Sequence, residues 1–108
     1  MKIDFSKIVV IRGEPVSIER DKEDKPVQAT LGSAIRIALN AVKPDAHVEL
    51  EAMIRRGRLS LRIAEGGILD VTAQEVTQMQ SALSAFIIPE LIVVLHDMLE
   101  QKDAASDV

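Results

Sequence analysis

The tetrapeptide Thr72-Ala73-Gln74-Glu75 constrains the fold more than any other feature of the sequence, because it carries the pattern of a helix start. In a capping box of this kind, the threonine hydroxyl accepts a hydrogen bond from the backbone N–H of the glutamate, and the glutamate carboxylate accepts one from the backbone N–H of the threonine. The apolar residues that follow at helical spacing are Val76, Met79, Leu83 and Phe86. This spacing predicts an amphipathic helix that begins after Thr72.

Two further segments show the apolar spacing of helices. Thr30 is a suitable N-cap for a first helix from Leu31 to Val42, and Pro44 ends the pattern. Pro89 suits the first turn of a last helix, which runs from about Pro89 to Gln101. This last helix is apolar over more than half of its circumference, so it is either the central helix of the core or an oligomer contact.

The central segment from Asp45 to Ile63 has two interpretations. As a hairpin, it alternates apolar and polar residues on both sides of the turn Arg55-Arg56-Gly57-Arg58. As a helix, it presents four apolar residues on one broad face, and Gly57 is the argument against continuity. Those four residues are Leu50, Met53, Ile54 and Leu61. Periodicity alone does not decide between the two.

The first 29 residues have the pattern of β-structure or of an extended arm. Short apolar runs before and after Gly13-Glu14-Pro15 predict two strands around a turn between Lys7 and Pro26. An arm is the alternative, because the prolines limit hydrogen bonding between strands. A further short extended segment, from Ile68 to Val71, follows the break at Glu65-Gly66-Gly67.

Together these patterns predict a single α+β domain that is mostly helical. An N-terminal β-hairpin or arm (residues 1–29) precedes a helical core of three to four helices (residues 30–101), and the polar tail (residues 102–108) is expected to fray. A chain of 108 residues, of which 47% are hydrophobic, has the size and the apolar material for one core.

The composition narrows the classes of function. The chain has no cysteine, which excludes disulfides, thiolate metal sites and cysteine nucleophiles. The two aromatic residues, Phe5 and Phe86, are too few for a base-stacking platform. A formal net charge of -4 gives no general attraction to phosphate backbones or anionic membranes. No signal peptide or transmembrane segment is recognisable, so we expect a cytoplasmic protein without a membrane partner.

No catalytic, cofactor-binding or metal-binding constellation emerges from the sequence. His47 and His96 are far apart and lack the spacing of two zinc ligands on one helix face. Gly66-Gly67 lacks the further glycine and the Lys-Ser/Thr pair of a phosphate loop. His96 and Asp97 are adjacent, but adjacent side chains on a helix diverge by about 100°, and no nucleophile accompanies them. We therefore predict a protein that is not an enzyme and takes no cofactor.

Two groups of residues are candidates for contact with a partner. The first is the apolar surface of the last helix, which we predict to contact a protein partner or a second copy of the chain. Its members are Leu91, Ile92, Val94, Leu95 and Met98. The second is a dense basic cluster that can contact an anion or a nucleic acid, although a solvated face is the more ordinary interpretation of such a cluster. Its members are Arg55, Arg56, Arg58 and Arg62.

Several short motifs occur in a distinctive order. The chain opens with Met1 to Ser6, has Thr30-Leu31-Gly32 at the first helix start and Asp70 to Glu75 at a later one, and ends with a proline before an apolar helix. Over most of its length this order resembles a group of short proteins encoded by tailed bacteriophages and prophages. The resemblance implies a phage or prophage origin and brings no catalytic residues. It favours a helix in the central segment, although this chain has Gly57 where the group has an aromatic residue.

Two hypotheses of function follow. The first is a non-enzymatic protein-binding module that forms a homo-oligomer and acts in phage assembly, or binds and modulates a host or phage protein in the bacterial cytoplasm. The identity of the protein partner is not encoded in any motif. The alternative is a nucleic-acid-associated regulator that uses the basic cluster, and the negative net charge makes it the less favoured of the two.

Overall fold

The structure, a computed structural model, describes residues 1–41 and 49–101. Within these residues the chain forms an α+β fold that is mostly helical, which confirms the predicted fold class. The α-helices are α1 (Leu31–Asn40), α2 (Leu50–Ile63), α3 (Ala73–Ala82) and α4 (Pro89–Leu99), and a 3₁₀ turn covers Leu83–Ala85. The strands are β1 (Lys2–Asp4), β2 (Val10–Ile11), β3 (Glu14–Pro15), β4 (Ser17–Arg20), β5 (Pro26–Gln28) and β6 (Ile68–Asp70).

The predicted N-terminal hairpin is present in place of an extended arm. β2 and β3 pair antiparallel, and the turn residues Arg12 and Gly13 have positive φ values of 53° and 80°, as a tight turn of the type that matches strand twist requires. β4 and β5 form a second antiparallel hairpin, in which Ser17 lies opposite Gln28. Both sheets have two strands, so every strand is an edge strand and prolines are tolerated in them.

A third antiparallel pair joins β1 to β6, with Ile3 opposite Leu69. The sequence predicted an extended segment at β6, but its spacing gave no sign that the partner is the start of the chain. β1 is also tied to the end of α4, because the side-chain amide of Gln101 donates to the Lys2 carbonyl oxygen. The N-terminal strand therefore lies between two elements from the second half of the sequence.

α1 is the central helix, because it contacts α2, α3 and α4. It begins at a capping box in which the Thr30 hydroxyl accepts from the Ser33 N–H at 3.1 Å and the Ser33 hydroxyl accepts from the Thr30 N–H at 2.9 Å. Its largest buried side chains are Leu31, Ile35 and Leu39. α1, and not the last helix, is therefore the central helix of the core. The predicted end of α1 at Val42 lies outside the described residues.

The central segment is helical from Leu50 to Ile63, which confirms the helical interpretation for this part of the chain. Residues 45–48 of the predicted segment lie outside the described residues. α2 packs against α1, and the side-chain amide of Asn40 at the end of α1 donates to the buried Ser60 hydroxyl at 2.9 Å. This hydrogen bond supplies the partner that a buried polar group requires.

The helix predicted after Thr72 is α3, and its capping box is present. The Glu75 N–H donates to the Thr72 hydroxyl at 3.1 Å, and the Thr72 N–H donates to Glu75 Oε1 at 2.9 Å. The buried members of the predicted apolar stripe are Val76, Met79 and Leu83. Phe86, its last member, is half-buried.

α4 has Pro89 in its first turn, as predicted, and ends at Leu99 rather than at Gln101. The predicted frayed tail, residues 102–108, lies outside the described residues. Across residues 1–41 and 49–101, every helix is too short or too polar to cross a lipid bilayer.

Gly32, in the first turn of α1, is a point of close approach between the strands and the helices. Its N–H donates to the Phe5 carbonyl oxygen at 2.8 Å. A Cβ atom at position 32 would lie 3.0 Å from that oxygen and 3.2 Å from the Cγ2 atom of Ile63. Phe5 and Ile63 are both buried, so neither has free space into which it can move.

Gly32→Ala is expected to lower the free energy of unfolding by about 1–3 kcal/mol, because the added methyl group overpacks the contact with Phe5 and Ile63. Urea unfolding followed by circular dichroism measures the change. Gly57→Ala is the matched control in α2, since a Cβ atom there meets no atom within 4 Å. We expect this control to raise the free energy of unfolding by up to about 1 kcal/mol through helix propensity. A Gly32→Ala variant as stable as the wild type would contradict the close contact.

Candidate interaction surfaces

Three of the four arginines in the predicted basic cluster line one groove between α2 and α3. Arg55, Arg58 and Arg62 share this side of α2 because they are three and four residues apart. The groove has a volume of about 610 Å³. Its other lining residues are Leu59, Gln74, Glu75, Thr77, Gln78 and Ser81. Arg56 is half-buried and lies outside this lining.

Arg62 is held in the groove by two partners. Its Nη1 atom lies 2.6 Å from Glu75 Oε2, and its Nη2 atom donates to the Asp70 carbonyl oxygen at 2.9 Å. The other oxygen of the Glu75 carboxylate accepts the Thr72 N–H of the capping box. One carboxylate therefore caps α3 and also pairs with α2, which fixes the position of the two helices on either side of the groove.

Arg55 and Arg58 make no ion pair or hydrogen bond with any residue that the structure describes. The groove thus holds three arginines and one glutamate, an excess of positive charge on a chain whose net charge is -4. The side-chain amides of Gln74 and Gln78 add uncharged donors. This arrangement can bind an oxyanion, because a guanidinium group offers two parallel N–H donors to carboxylate or phosphate oxygens.

The contact surface predicted on the last helix is accessible only in part. Leu91 and Leu95 are fully buried, so in the folded chain they belong to the core and not to a contact surface, which corrects the prediction for these two residues. The cause is their spacing, because residues four apart fall on the same face of α4. Ile92, Val94 and Met98 are half-buried at the borders of that face.

Three exposed aliphatic residues lie at or shortly after the junction between the 3₁₀ turn and α4, and together they are here called the junction patch: Ile87, Ile88 and Val93. Ile87 is 93% exposed, and the other two are more than half exposed. Ile87 and Ile88 belong to the short connection between the 3₁₀ turn and α4, and Val93 lies on the outer face of α4. Glu90 and Asp97 share that outer face, since they are three residues before and four residues after Val93. No sequence pattern predicted this patch, because Ile87 and Ile88 precede the helical pattern of α4.

A second exposed apolar surface lies on α2. Leu50 and Leu61 are 71% and 69% exposed, and Met53 and Ile54 are also exposed. The residues of α2 that are buried are Leu59, Ser60 and Ile63. The sequence placed the four exposed residues on one broad face, and the structure shows that this face points to solvent. Periodicity could not identify the buried face, because both faces of α2 carry aliphatic side chains.

The end of α4 brings together three side chains that are able to ligate a cation. The ligand atoms of His96, Asp97 and Glu100 all lie within 4.8 Å of one another. His96 Nδ1 is 3.7 Å from Asp97 Oδ1, and His96 Nε2 is 3.6 Å from Glu100 Oε1. His96 and Asp97 stand out in the sequence because they are adjacent, and Glu100 follows His96 by four residues. The group lies at the C-terminus of α4.

Two exposed carboxyl groups at the β1–β6 pair have shifted pKa values. A hydrogen bond from the Met1 amino group, at 2.9 Å, lowers the pKa of Asp70 below its ordinary value, and the positive charge of that group adds to the effect. Hydrogen bonds from the Ser6 hydroxyl and the Ser6 N–H lower the pKa of Asp4. Both groups lie at the ends of the strand pair, and neither lines the groove.

Comparisons of the chain with protein-family models, curated proteins and solved structures gave no match. The surfaces of the molecule that can contact a partner are the groove between α2 and α3, the junction patch and the exposed face of α2.

Glu75→Ala is expected to lower the free energy of unfolding by about 1–2 kcal/mol, because it removes half of the capping box and the ion pair with Arg62. Glu75→Gln is the matched control, since its amide oxygen retains the capping hydrogen bond and only the charge is lost; we expect a loss below about 1 kcal/mol. Urea unfolding of both variants gives the comparison. Equal losses in the two variants would show that the charge, and not the cap, accounts for the effect.

Proposed function

We propose that the protein is a non-enzymatic protein-binding module of phage or prophage origin, which acts in the bacterial cytoplasm through the junction patch. The observation that carries this proposal is the exposure of Ile87, next to exposed Ile88. Burial of one large aliphatic side chain is worth roughly 1.5–3 kcal/mol. Adjacent exposed side chains of this kind are typical of a contact surface for another protein.

The surroundings of the junction patch indicate the chemistry of its partner. Glu90 and Asp97 share the outer face of α4 with Val93, and Glu90 pairs at 2.9 Å with the exposed Arg12. An exposed ion pair of this kind contributes little and exchanges readily with other charges. A protein surface with an apolar depression bordered by lysine or arginine fits the patch best. Such a surface is suited either to phage assembly or to the modulation of a host protein.

The proposal is tested with a photo-crosslinking amino acid at position 87 in the full chain, expressed in phage-infected bacteria. The matched control carries the same amino acid at position 68, where the natural isoleucine is also strongly exposed but lies on β6. We expect a crosslinked protein at position 87 that is absent at position 68. With that protein purified, Ile87→Ser is expected to raise the dissociation constant roughly tenfold or more, as measured by calorimetry. Identical crosslinks at both positions, or an unchanged affinity, would contradict the proposal.

A second candidate function, binding of a nucleic acid, is favoured by one specific observation. Arg55 and Arg58 have no partner among the described residues and lie beside Arg62 in the groove between α2 and α3. Side chains in this arrangement neutralise backbone phosphates, and each neutralised phosphate makes the affinity depend more steeply on salt. The net charge of -4 and the absence of a stacking platform make this the second candidate.

The second candidate is tested by the binding of a labelled 20-nucleotide DNA at several salt concentrations. We expect Arg55→Ala and Arg58→Ala each to weaken binding and to reduce the slope of log K against log salt by about 1. Arg56→Ala is the matched control, because Arg56 lies outside the groove lining. No binding by the wild type at low salt, or equal effects of all three substitutions, would remove this candidate.

A further inference from the structure

Three exposed aliphatic residues of α2 form a line along its outer surface, here called the outer stripe: Leu50, Ile54 and Leu61. Gly57 completes the series, so its members follow one another at intervals of four, three and four residues. Apolar residues at alternating intervals of three and four form the seam along which two helices pack in a coiled coil. The outer stripe therefore has the spacing of a helix–helix contact.

Within residues 1–41 and 49–101, the aliphatic side chains of the outer stripe are exposed. α2 contacts α1 through the face of Ser60 and Ile63, and at about 100° per residue this face is turned away from the stripe by roughly 120°. Leu50 and Leu61 at its two ends are the most exposed aliphatic residues of α2. At its centre, a Cβ atom on Gly57 would meet no atom within 4 Å, so space is open beside Ile54. The stripe thus has large side chains at its ends and a small residue near its middle.

Charged residues on one border of the stripe decide the kind of partner that fits. Glu51 directly follows Leu50, and Arg58 directly follows Gly57. Both therefore lie on the same border of the stripe. In an antiparallel pair of helices, such border residues face the same border of the partner helix. Glu51 of one copy then meets Arg58 of the other, and the symmetry of the pair repeats this contact.

We infer that α2 forms an antiparallel contact with α2 of a second copy of this chain. In this dimer Leu50 packs against Leu61 of the other copy, and Ile54 packs against Gly57, so that each large residue at the centre meets a small one. Two Glu51–Arg58 ion pairs border the seam. A parallel arrangement would bring Gly57 against Gly57 and would leave Glu51 without an opposite charge, so complementarity selects the antiparallel pair.

The inference is independent of the proposed function, because the junction patch and the outer stripe share no residue. The dimer joins two copies by a two-fold axis near the middle of α2 and leaves both junction patches unchanged. Arg58 lines the groove and also borders the stripe, so the dimer places the two grooves beside the seam. A single helix pair of this length is a small interface, for which we expect a dissociation constant on the order of 10–100 µM.

The test is a set of charge exchanges measured by sedimentation equilibrium up to about 1 mM chain, well above the expected dissociation constant. Glu51→Arg and Arg58→Glu each turn both attractive contacts into repulsive ones, and we expect each to weaken dimerisation roughly tenfold or more. The double variant Glu51→Arg/Arg58→Glu restores opposite charges and is expected to dimerise like the wild type. An equimolar mixture of the two single variants is expected to form a heterodimer. Circular dichroism of each variant checks that α2 is intact.

The outcomes separate the inference from its rivals. Wild-type protein that remains monomeric at the highest concentration overturns the inference. The partner of the stripe would then be a helix of another protein. Dimerisation that is insensitive to both single exchanges also overturns it, because another surface then forms the dimer. Loss of dimerisation in Leu61→Lys and in both single charge exchanges, together with its recovery in the double exchange, supports the antiparallel seam. The crosslinking result at Ile87 is unaffected by any of these outcomes.

Discussion

The contact of Gly32 with Phe5 and Ile63 is the constraint on which the rest of the fold depends. At this point the first turn of α1, the segment after β1 and the end of α2 meet within 3.0–3.2 Å of a missing Cβ atom. The hydrogen bond from the Gly32 N–H to the Phe5 carbonyl oxygen satisfies a donor that a helix start leaves free. Because β1 also pairs with β6, this contact places the start of α3, three residues after the end of β6, relative to α1.

Glu75 links the packing of the helices to the groove at the surface. Its backbone and carboxylate close the capping box of α3, and the same carboxylate pairs with Arg62 at 2.6 Å. A local signal of helix initiation is therefore also a tertiary contact, and it sets one wall of the groove between α2 and α3. Arg55 and Arg58, two turns and one turn before Arg62, remain available in that groove because Glu75 reaches only the last of the three arginines.

The sequence predicted the helix starts well because each start is encoded within one turn. The pairing of Thr72 with Glu75, the Thr30 cap and Pro89 in a first turn all depend on residues three or four positions apart. The basic cluster was identified from the density of arginines along the chain, and in the structure three of its four members line one groove. The last helix was interpreted less well, since Leu91 and Leu95, chosen as contact residues, are buried. The hydrophobicity of this helix is equally consistent with burial in the core and with contact to a partner.

By itself the sequence determined where α1, α3 and α4 begin and that the fold is α+β and mostly helical, because these properties depend on neighbours along the chain. The tertiary structure decided that β1 pairs with β6 and that α1, not the last helix, lies at the centre. It also decided which face of α2 is buried. Leu59 and Ile63 are as aliphatic as Leu50 and Leu61, and the difference between core and surface arises from the position of α1, which no local pattern records.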